Sequence, residues 1–232
     1  MSKTKVVVAM SGGVDSSVAA YLLKEAGYQV LGITMRLAPP QDPSYERQNR
    51  RCCTAEDADD ARRVCQILAI PHYVLNFEKE FHTHVIDYFL DEYRRGRTPN
   101  PCLACNDYIK FQFLMRKALA LGAEKLATGH YARIDRIGGT YRLLRACDPS
   151  KDQTYVLYGL GQRELRRLLF PVGEHPKHVI RSIARELRLP VADKPDSQDI
   201  CFIPDGDYRA FVRKHIEPHE GAIVDVEGKV LG

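Results

Sequence analysis

Three cysteines and one glycine loop are the residues of this chain best suited to chemistry. Ser11-Gly12-Gly13-Val14-Asp15-Ser16-Ser17 gathers two glycines, three hydroxyls and a carboxylate in seven residues. Glycines let backbone approach a ligand closely and adopt unusual dihedrals. Successive N–H groups and hydroxyls can then surround a phosphate, and a helix N-terminus beside them adds partial positive charge. The loop has no Gly-Lys-Ser/Thr ending, which disfavours transfer of a terminal phosphoryl group. Asp15 beside a phosphate suits a magnesium-linked role. Cys102 and Cys105 form a C-x-x-C directly after Asn100-Pro101, at the start of a helix, where a thiol loses its proton more readily. Cys201 lies far along the chain, within Ser197-Gln198-Asp199-Ile200-Cys201-Phe202-Ile203-Pro204. On spacing alone the C-x-x-C fits a redox pair, half a zinc site or chance. Cys65 and Cys147 fit structural roles on a helix face and a strand end, and Cys52 and Cys53 adjoin a polar loop.

The elements that must position these groups follow from periodicity. Val6 to Met10 reads as a buried parallel strand, and Val14, Val18, Ala19, Leu22 and Leu23 fall at helical spacing until Gly27. Gln29 to Arg36 reads as a second strand, which completes a β-loop-α-β unit and sets the parallel α/β class. Residues 38 to 51 read as a surface loop. Helices are expected over Thr54 to Leu68, Glu78 to Arg95 and Asp107 to Leu121, with strands over Ile70 to Phe77 and Glu124 to Thr128. Beyond these, Tyr131 to Ile137 and Thr140 to Arg145 read as a hairpin around Gly138-Gly139. Helices follow near Gln162 to Leu168 and Lys177 to Leu187, and a second hairpin around Glu227-Gly228.

Bulk properties exclude some classes. The 232 residues carry 44% hydrophobic and 28% charged side chains, an ordinary globular balance. No apolar run approaches the ~20 residues of a membrane span. The five apolar residues Val6 to Met10 are too few for the core of a secretory signal, so a cytoplasmic protein without a membrane partner is expected. A net charge of +4 is compatible with a nucleic-acid partner without requiring one. Seven cysteines in such a chain point to thiol chemistry or metal binding, not to a disulfide framework.

The glycine loop resembles the pyrophosphatase loop of the N-type ATP-pyrophosphatases. Taken with the cysteines, the chain resembles the bacterial tRNA-specific 2-thiouridylases along essentially its whole length. The resemblance rests on AMSGGVDSSV at 9–18, GRTPNPCLACN at 96–106, IKF at 109–111, ATGHYAR at 127–133, KDQTYVLY at 151–158, LFPVGE at 169–174 and DSQDICFI at 196–203. It implies a doubly wound α/β sheet of the adenine-nucleotide α-hydrolase type. It also implies that ATP, with magnesium, adenylates the C2 oxygen of a wobble uridine in tRNA. Sulfur from a persulfide carrier or sulfide then displaces AMP. By position, Cys105 carries over as nucleophile and Cys201 as the persulfide-bearing cysteine. ATP contacts carry over to Ala9, Met10, Ser11, Gly12, Gly13, Val14, Asp15, Ser16, Met35 and Gly129. Asn100, Pro101, Cys102 and His130 fall near the target base, and Lys151, Asp152 and Gln153 where the family touches tRNA. Many family members have aspartate at position 102. A third thiol there raises a second route, in which Cys102, Cys105 and Cys201 ligate a [4Fe-4S] cluster.

Several of these residues have plainer readings. His130 suits a buried histidine after a strand, Gly129 a turn and Met35 a core position. Lys151 to Gln153 suit a solvated loop, and Arg94, Arg95 and Arg97 either a solvated helix end or a footprint for RNA phosphates. The expected organisation is a nucleotide domain over 1–170, a helical segment over 171–215 carrying the second cysteine, and the start of a β domain over 216–232. Three other activities fit parts of the pattern: a C–N bond-forming synthetase on the same loop, a nucleotide-binding module without catalysis, and a redox or metal protein on this fold.

Overall fold

In the computed structural model, residues 3–37, 55–196, 200–203, 206–217 and 221–232 are described. Cys52, Cys53, Ser197, Gln198 and Asp199 lie outside them. The strands are β1 (Lys5–Ala9), β2 (Gln29–Arg36), β3 (His72–Asn76), β4 (Lys125–Ala127), β5 (Ala132–Ile137), β6 (Thr140–Arg145) and β7 (Leu168–Leu169). Five of them form a parallel sheet in the order β3-β2-β1-β4-β7, and β5 and β6 pair as the expected antiparallel hairpin. Val6, Val7 and Val8 are fully buried, as a central parallel strand with helices on both faces requires.

The strand period of two divides the core cleanly. Val6, Val8, Met10, Val30 and Ala127 face one layer, built by α1 (Val14–Glu25), α2 (Ala55–Ile67) and, further along, the helix Lys177–Glu186. Val7, Ala9, Leu31, Ile33, Met35 and Leu126 face the other. There, two long helices over 78–94 and 101–120 cover the sheet, each containing π-helical turns, His82–Ile86 in the first and Cys105–Leu114 in the second. From β1 the chain winds outward through β2 and β3, then crosses to β4 on the far side of β1. The crevice between the ends of β1 and β4 is therefore the topological switch point, where open parallel sheets bind ligands.

Two expectations are corrected. The helix expected from Asp107 begins six residues earlier, at Pro101. Asn100 caps it, with Oδ1 accepting from the N–H groups of Cys102 (3.1 Å) and Leu103 (3.4 Å), and Pro101 sits where a helix needs no N–H. Cys102 and Cys105 thus lie inside this helix. Cys147, expected to be structural, has an exposed side chain: its thiol reaches Glu174 Oε2 at 4.0 Å, and its backbone N–H donates to Gly173 O at 2.9 Å. Cys65 does fill the α2 side of the core; burial pushes its thiol up to about 12. Near the C-terminus, Val224 and Val230 form the antiparallel bridge of the expected second hairpin.

Candidate active site

The glycine loop occupies the switch-point crevice. Met10 N–H still follows the sheet, donating to Ile33 O at 2.8 Å, and the chain then turns away. Gly12 has φ +72, and a Cβ there would lie 2.7 Å from Asp57 Cα, so both dihedral and space demand glycine. Gly13 is the N-cap of α1, and no side chain caps that helix. Its first N–H groups are therefore directed at whatever enters the crevice. The serines hold the turn: Ser11 N–H donates to Ser16 Oγ at 3.2 Å, and Ser17 Oγ donates to Gly13 O at 2.8 Å.

Gly129 closes the crevice from β4. A Cβ on it would stand 2.7 Å from Ser16 N and 2.9 Å from Asp15 C. The fold thus brings Gly129 against the loop. Ala9, Met10, Val14 and Met35 bury their side chains in the core, so Ala9 and Met10 offer the crevice backbone only. Met35 sits in the layer opposite α1, packed in one cluster with Phe77 and Phe81.

Asp15 is the centre of a charge network that the sequence reading missed. Its Oδ1 accepts from Tyr131 Oη at 2.8 Å, and Lys177 Nζ donates to Oδ1 and Oδ2 at 2.8 and 2.7 Å. Lys177 is only 8% exposed and also meets Asp196 at 2.8 Å. Asp196 further pairs with Lys151 at 2.9 Å and Arg181 at 2.8 Å. Burial alone would raise the Asp196 carboxyl, but hydrogen bonds from Lys177 and Lys151 overcome it and hold the group down to about 2. A second lysine, Lys194, donates to Gly12 O at 3.1 Å and to Asp57 and Asp60 at 2.7 Å each. One sequence signal could have exposed Lys177. It opens a helix, where the macrodipole disfavours a cation, so its presence calls for a carboxylate partner.

The thiols belong to the other layer. Cys102 is exposed, while Cys105 and Cys201 are half-buried against one apolar core. Phe202, beside Cys201, anchors that segment edge-on to Phe81 and Phe89, with ring centroids 5.8 and 5.4 Å apart. Among the described residues no group of three or more His, Cys, Asp and Glu side chains is arranged to hold a metal ion. Asn106 follows Cys105 and is almost fully buried; its Nδ2 donates to Val156 O at 3.2 Å and its Oδ1 accepts from Lys110 at 2.8 Å. Sequence reasoning did not single it out.

His130 is buried between Phe111 and Phe170, with Nδ1 2.7 Å from Thr128 Oγ1. Burial, with the Lys110 charge added, drives its pKa well below the ordinary histidine value, so the ring is neutral. Asp152 and Gln153 turn inward: Asp152 accepts from Ala146 N at 2.9 Å and Thr154 Oγ1 at 2.6 Å, and Gln153 Oε1 accepts from Tyr131 N at 2.9 Å. Arg94 and Arg97 reach Asp91 (2.6 Å) and Glu92 (2.7 Å), and Arg95 lies 3.6 Å from Glu92. No helix among the described residues is long and apolar enough to cross a membrane.

The chain is similar to known proteins. The family described as tRNA methyl transferase HUP domain matches residues 4–205. The chain is 55% identical over 237 aligned residues to the tRNA-specific 2-thiouridylase MnmA of Carboxydothermus hydrogenoformans, and 53% identical to that of Pelotomaculum thermopropionicum. All of the chain is covered in both alignments, and it spans 65% and 64% of the lengths of these relatives. A 4-thiouridine synthetase, solved as an RNA complex with bound ATP, resembles it in fold, with a TM-score of 0.50 at 16% identity over 91% of this chain and 50% of the other. With the glycine loop, the switch point and the thiol helix in place, the chain belongs to the tRNA methyl transferase HUP domain family.

Proposed function

We propose that the chain carries the ATP-binding and thiol-bearing part of a tRNA-uridine 2-sulfurtransferase. One observation carries the reading: a glycine loop without the phosphoryl-transfer lysine and two half-buried cysteines, Cys105 and Cys201, sit on one α/β scaffold. The names of the relatives agree with it. C–N bond synthesis and methyl transfer have no use for the two thiols.

ATP enters with magnesium as its counter-ion, its phosphates against Ser11 to Ser16 and its nucleoside towards Met35 and Gly129. The uridine C2 oxygen attacks the α-phosphorus, and the bond to the bridging oxygen breaks to release pyrophosphate. Adenylation turns a poor electrophile into one with a good leaving group. A donor, a persulfide carrier protein or sulfide, supplies sulfur. In the persulfide route the terminal sulfur on Cys201 attacks C2, and AMP departs with the former carbonyl oxygen. The Cys105 thiolate then attacks the Cys201 sulfur, breaking the S–S bond and freeing 2-thiouridine. The Cys105–Cys201 disulfide left behind takes two electrons from an external thiol. The cluster route through Cys102, Cys105 and Cys201 finds no support in how the described residues are arranged. Asn100 and Pro101 hold the thiol helix beside the target base, with the neutral His130 and Cys102. Lys151 to Gln153 lie beneath the RNA, and the enzyme works in the cytoplasm.

The test is thiolation itself. Unmodified tRNA, ATP and either sulfide or a persulfide carrier are incubated with the chain, and the nucleosides are read by mass spectrometry. With the persulfide carrier the reading expects 2-thiouridine from wild type and none from Cys105→Ala or Cys201→Ala, whereas sulfide, already fully reduced, can displace AMP from C2 without either thiol. Absence of 2-thiouridine under both donors, or its survival in both variants with the carrier, contradicts the reading.

A further inference from the structure

Exposed aromatic rings gather next to the thiol helix, and neither the nucleotide crevice nor the cysteines account for them. Tyr108 is 40% exposed, Tyr88 38% and Tyr158 72%. They come from three separate segments: the 101–120 helix, the 78–94 helix and the loop before Leu160. Tyr108 stacks on His84 with ring centroids 5.0 Å apart and planes 19° apart. The loop bearing Tyr158 is pinned against the same helix. Asn106 donates to Val156 O, and a Cβ on Gly159 would lie 3.2 Å from Asp107 Oδ1. Burial raises the Tyr88 phenol first, then Glu92, and Tyr158 and Tyr108 are both near enough to add.

Burying such rings in the core would be ordinary; exposing several together beside a reactive helix is not. An exposed tyrosine offers a flat face at low entropic cost, and every nucleobase has a matching π-face. Cations border the surface. Arg116 lies 4.7 Å above the Phe113 ring, which itself packs on His84, and Arg97 is 56% exposed although it reaches Glu92. The thiol helix places Tyr108 one turn beyond Cys105, so bases stacked here flank a base presented to that cysteine.

We propose that Tyr88, Tyr108 and Tyr158, with His84 backing Tyr108, form a stacking surface for unpaired bases of an RNA loop. These are the nucleotides beside the one that is modified, and Arg97 and Arg116 face their phosphates. The inference rests on the RNA-modifying reading above and names the part of the RNA that the surface takes: single-stranded loop bases, not a helical stem. Recognition of unpaired bases by exposed aromatics is the general solution for sequence-tolerant RNA contacts.

The test compares binding of an RNA hairpin with an unpaired, uridine-containing loop against a blunt RNA duplex of the same length. Stacking is worth about 1–3 kcal/mol per base, so Tyr108→Ala and Tyr158→Ala should each weaken hairpin binding about tenfold. Duplex binding should be unchanged. Tyr158→Phe keeps the π-face and should bind like wild type. The salt dependence should stay the same in every tyrosine variant, because no phosphate contact is removed. ATP affinity, measured in parallel, checks the fold, and the high exposure of Tyr158 makes misfolding of its variants a poor escape. Equal hairpin affinity for Tyr158→Ala, Tyr108→Ala and wild type overturns the proposal. So does an equal loss in Tyr158→Phe and Tyr158→Ala. Self-association of the wild type that Tyr158→Ala abolishes without any change in RNA binding would assign the surface to a second copy instead. Loss of hairpin binding without any RNA-dependent thiolation would leave the surface standing and remove the sulfurtransferase reading.

Discussion

Lys177 and Asp15 are 162 residues apart in the chain, yet the lysine Nζ lies 2.7 Å from the aspartate Oδ2 at the mouth of the glycine loop. The same ammonium reaches Asp196, five residues before Cys201, at 2.8 Å. One buried cation therefore links the glycine loop to the base of the segment that carries Cys201. Removing it leaves two carboxylates facing each other. Lys177→Met should destabilise the fold by about 2 kcal/mol, below the usual range for breaking a fully buried pair because both carboxylates keep some water. Adding Asp15→Asn should restore part of the loss. Urea unfolding of the two single variants and the double variant checks this, and additive losses would show that the pair is not coupled.

Gly129 and Gly27 separate crowding from strain. A methyl at Gly129 meets the backbone of Ser16 and Asp15, whereas Gly27, at φ +86, has nothing within 4 Å of its would-be Cβ. Overpacking costs about 1–3 kcal/mol, and here it displaces the glycine loop itself. Gly129→Ala should therefore lower ATP affinity by about tenfold or more. Gly27→Ala should cost about 1 kcal/mol of stability through backbone strain and leave ATP affinity unchanged. Calorimetric titration with ATP distinguishes the two outcomes.

Two groups give the stability a defined dependence on pH. Asp196 is held down to about 2 in the fold, against an ordinary value near 3.8. Its contribution is fully present above about pH 4 and is lost as the pH falls through about 2. His130 is depressed by burial and by Lys110, so below about pH 6.5 the unfolded chain takes up a proton that the folded chain refuses. Stability should then fall as the pH drops from about 6.5 to 5, with His72, also lowered by burial, adding to the slope. His130→Gln should reduce the slope in that window, and Asp196→Asn should flatten the profile between pH 4 and 2. Denaturant midpoints measured across pH read both.

The thiols should separate by accessibility. Cys102 and Cys147 are exposed, Cys105 and Cys201 half-buried, and Cys65 is buried with its thiol pushed up to about 12. Among the cysteines of the described residues, a small thiol reagent at pH 8 should label Cys102 and Cys147 first, and reach Cys65 only after unfolding. Peptide mass mapping over time checks the order. Early labelling of Cys65 would contradict the packing of α2 on the sheet.

Much of this fold could be read from local signals. Val6-Val7-Val8 followed by two glycines, and the even spacing of Val14, Val18 and Leu22, encode a strand, a turn and a helix over a few residues. Cys102 and Cys105 are expected at a helix start, yet the helical run itself is bounded at Asp107 because Thr98-Pro99-Asn100-Pro101 reads as a breaker. Its second half is in fact a cap and a first-turn proline, and only the hydrogen bonds to Asn100 Oδ1 reveal that. Lys177, Lys194 and Asp196 escaped for a different reason. Each acts through partners from far along the chain, and no periodicity records a contact between residue 15 and residue 177. The aromatic surface was hidden in the same way, because Tyr88, Tyr108 and Tyr158 look like core residues until the fold leaves them exposed.

The claim on which the rest depends is that this glycine loop splits ATP between the α and β phosphates to activate an RNA base. The most direct measurement follows ATP labelled at the α-phosphate, incubated with the chain and unmodified tRNA, and separates the nucleotide products. The account predicts labelled AMP in amounts that rise with tRNA, and markedly less from Gly129→Ala at ATP concentrations below saturation. ADP with inorganic phosphate, or AMP formation indifferent to tRNA, would contradict it.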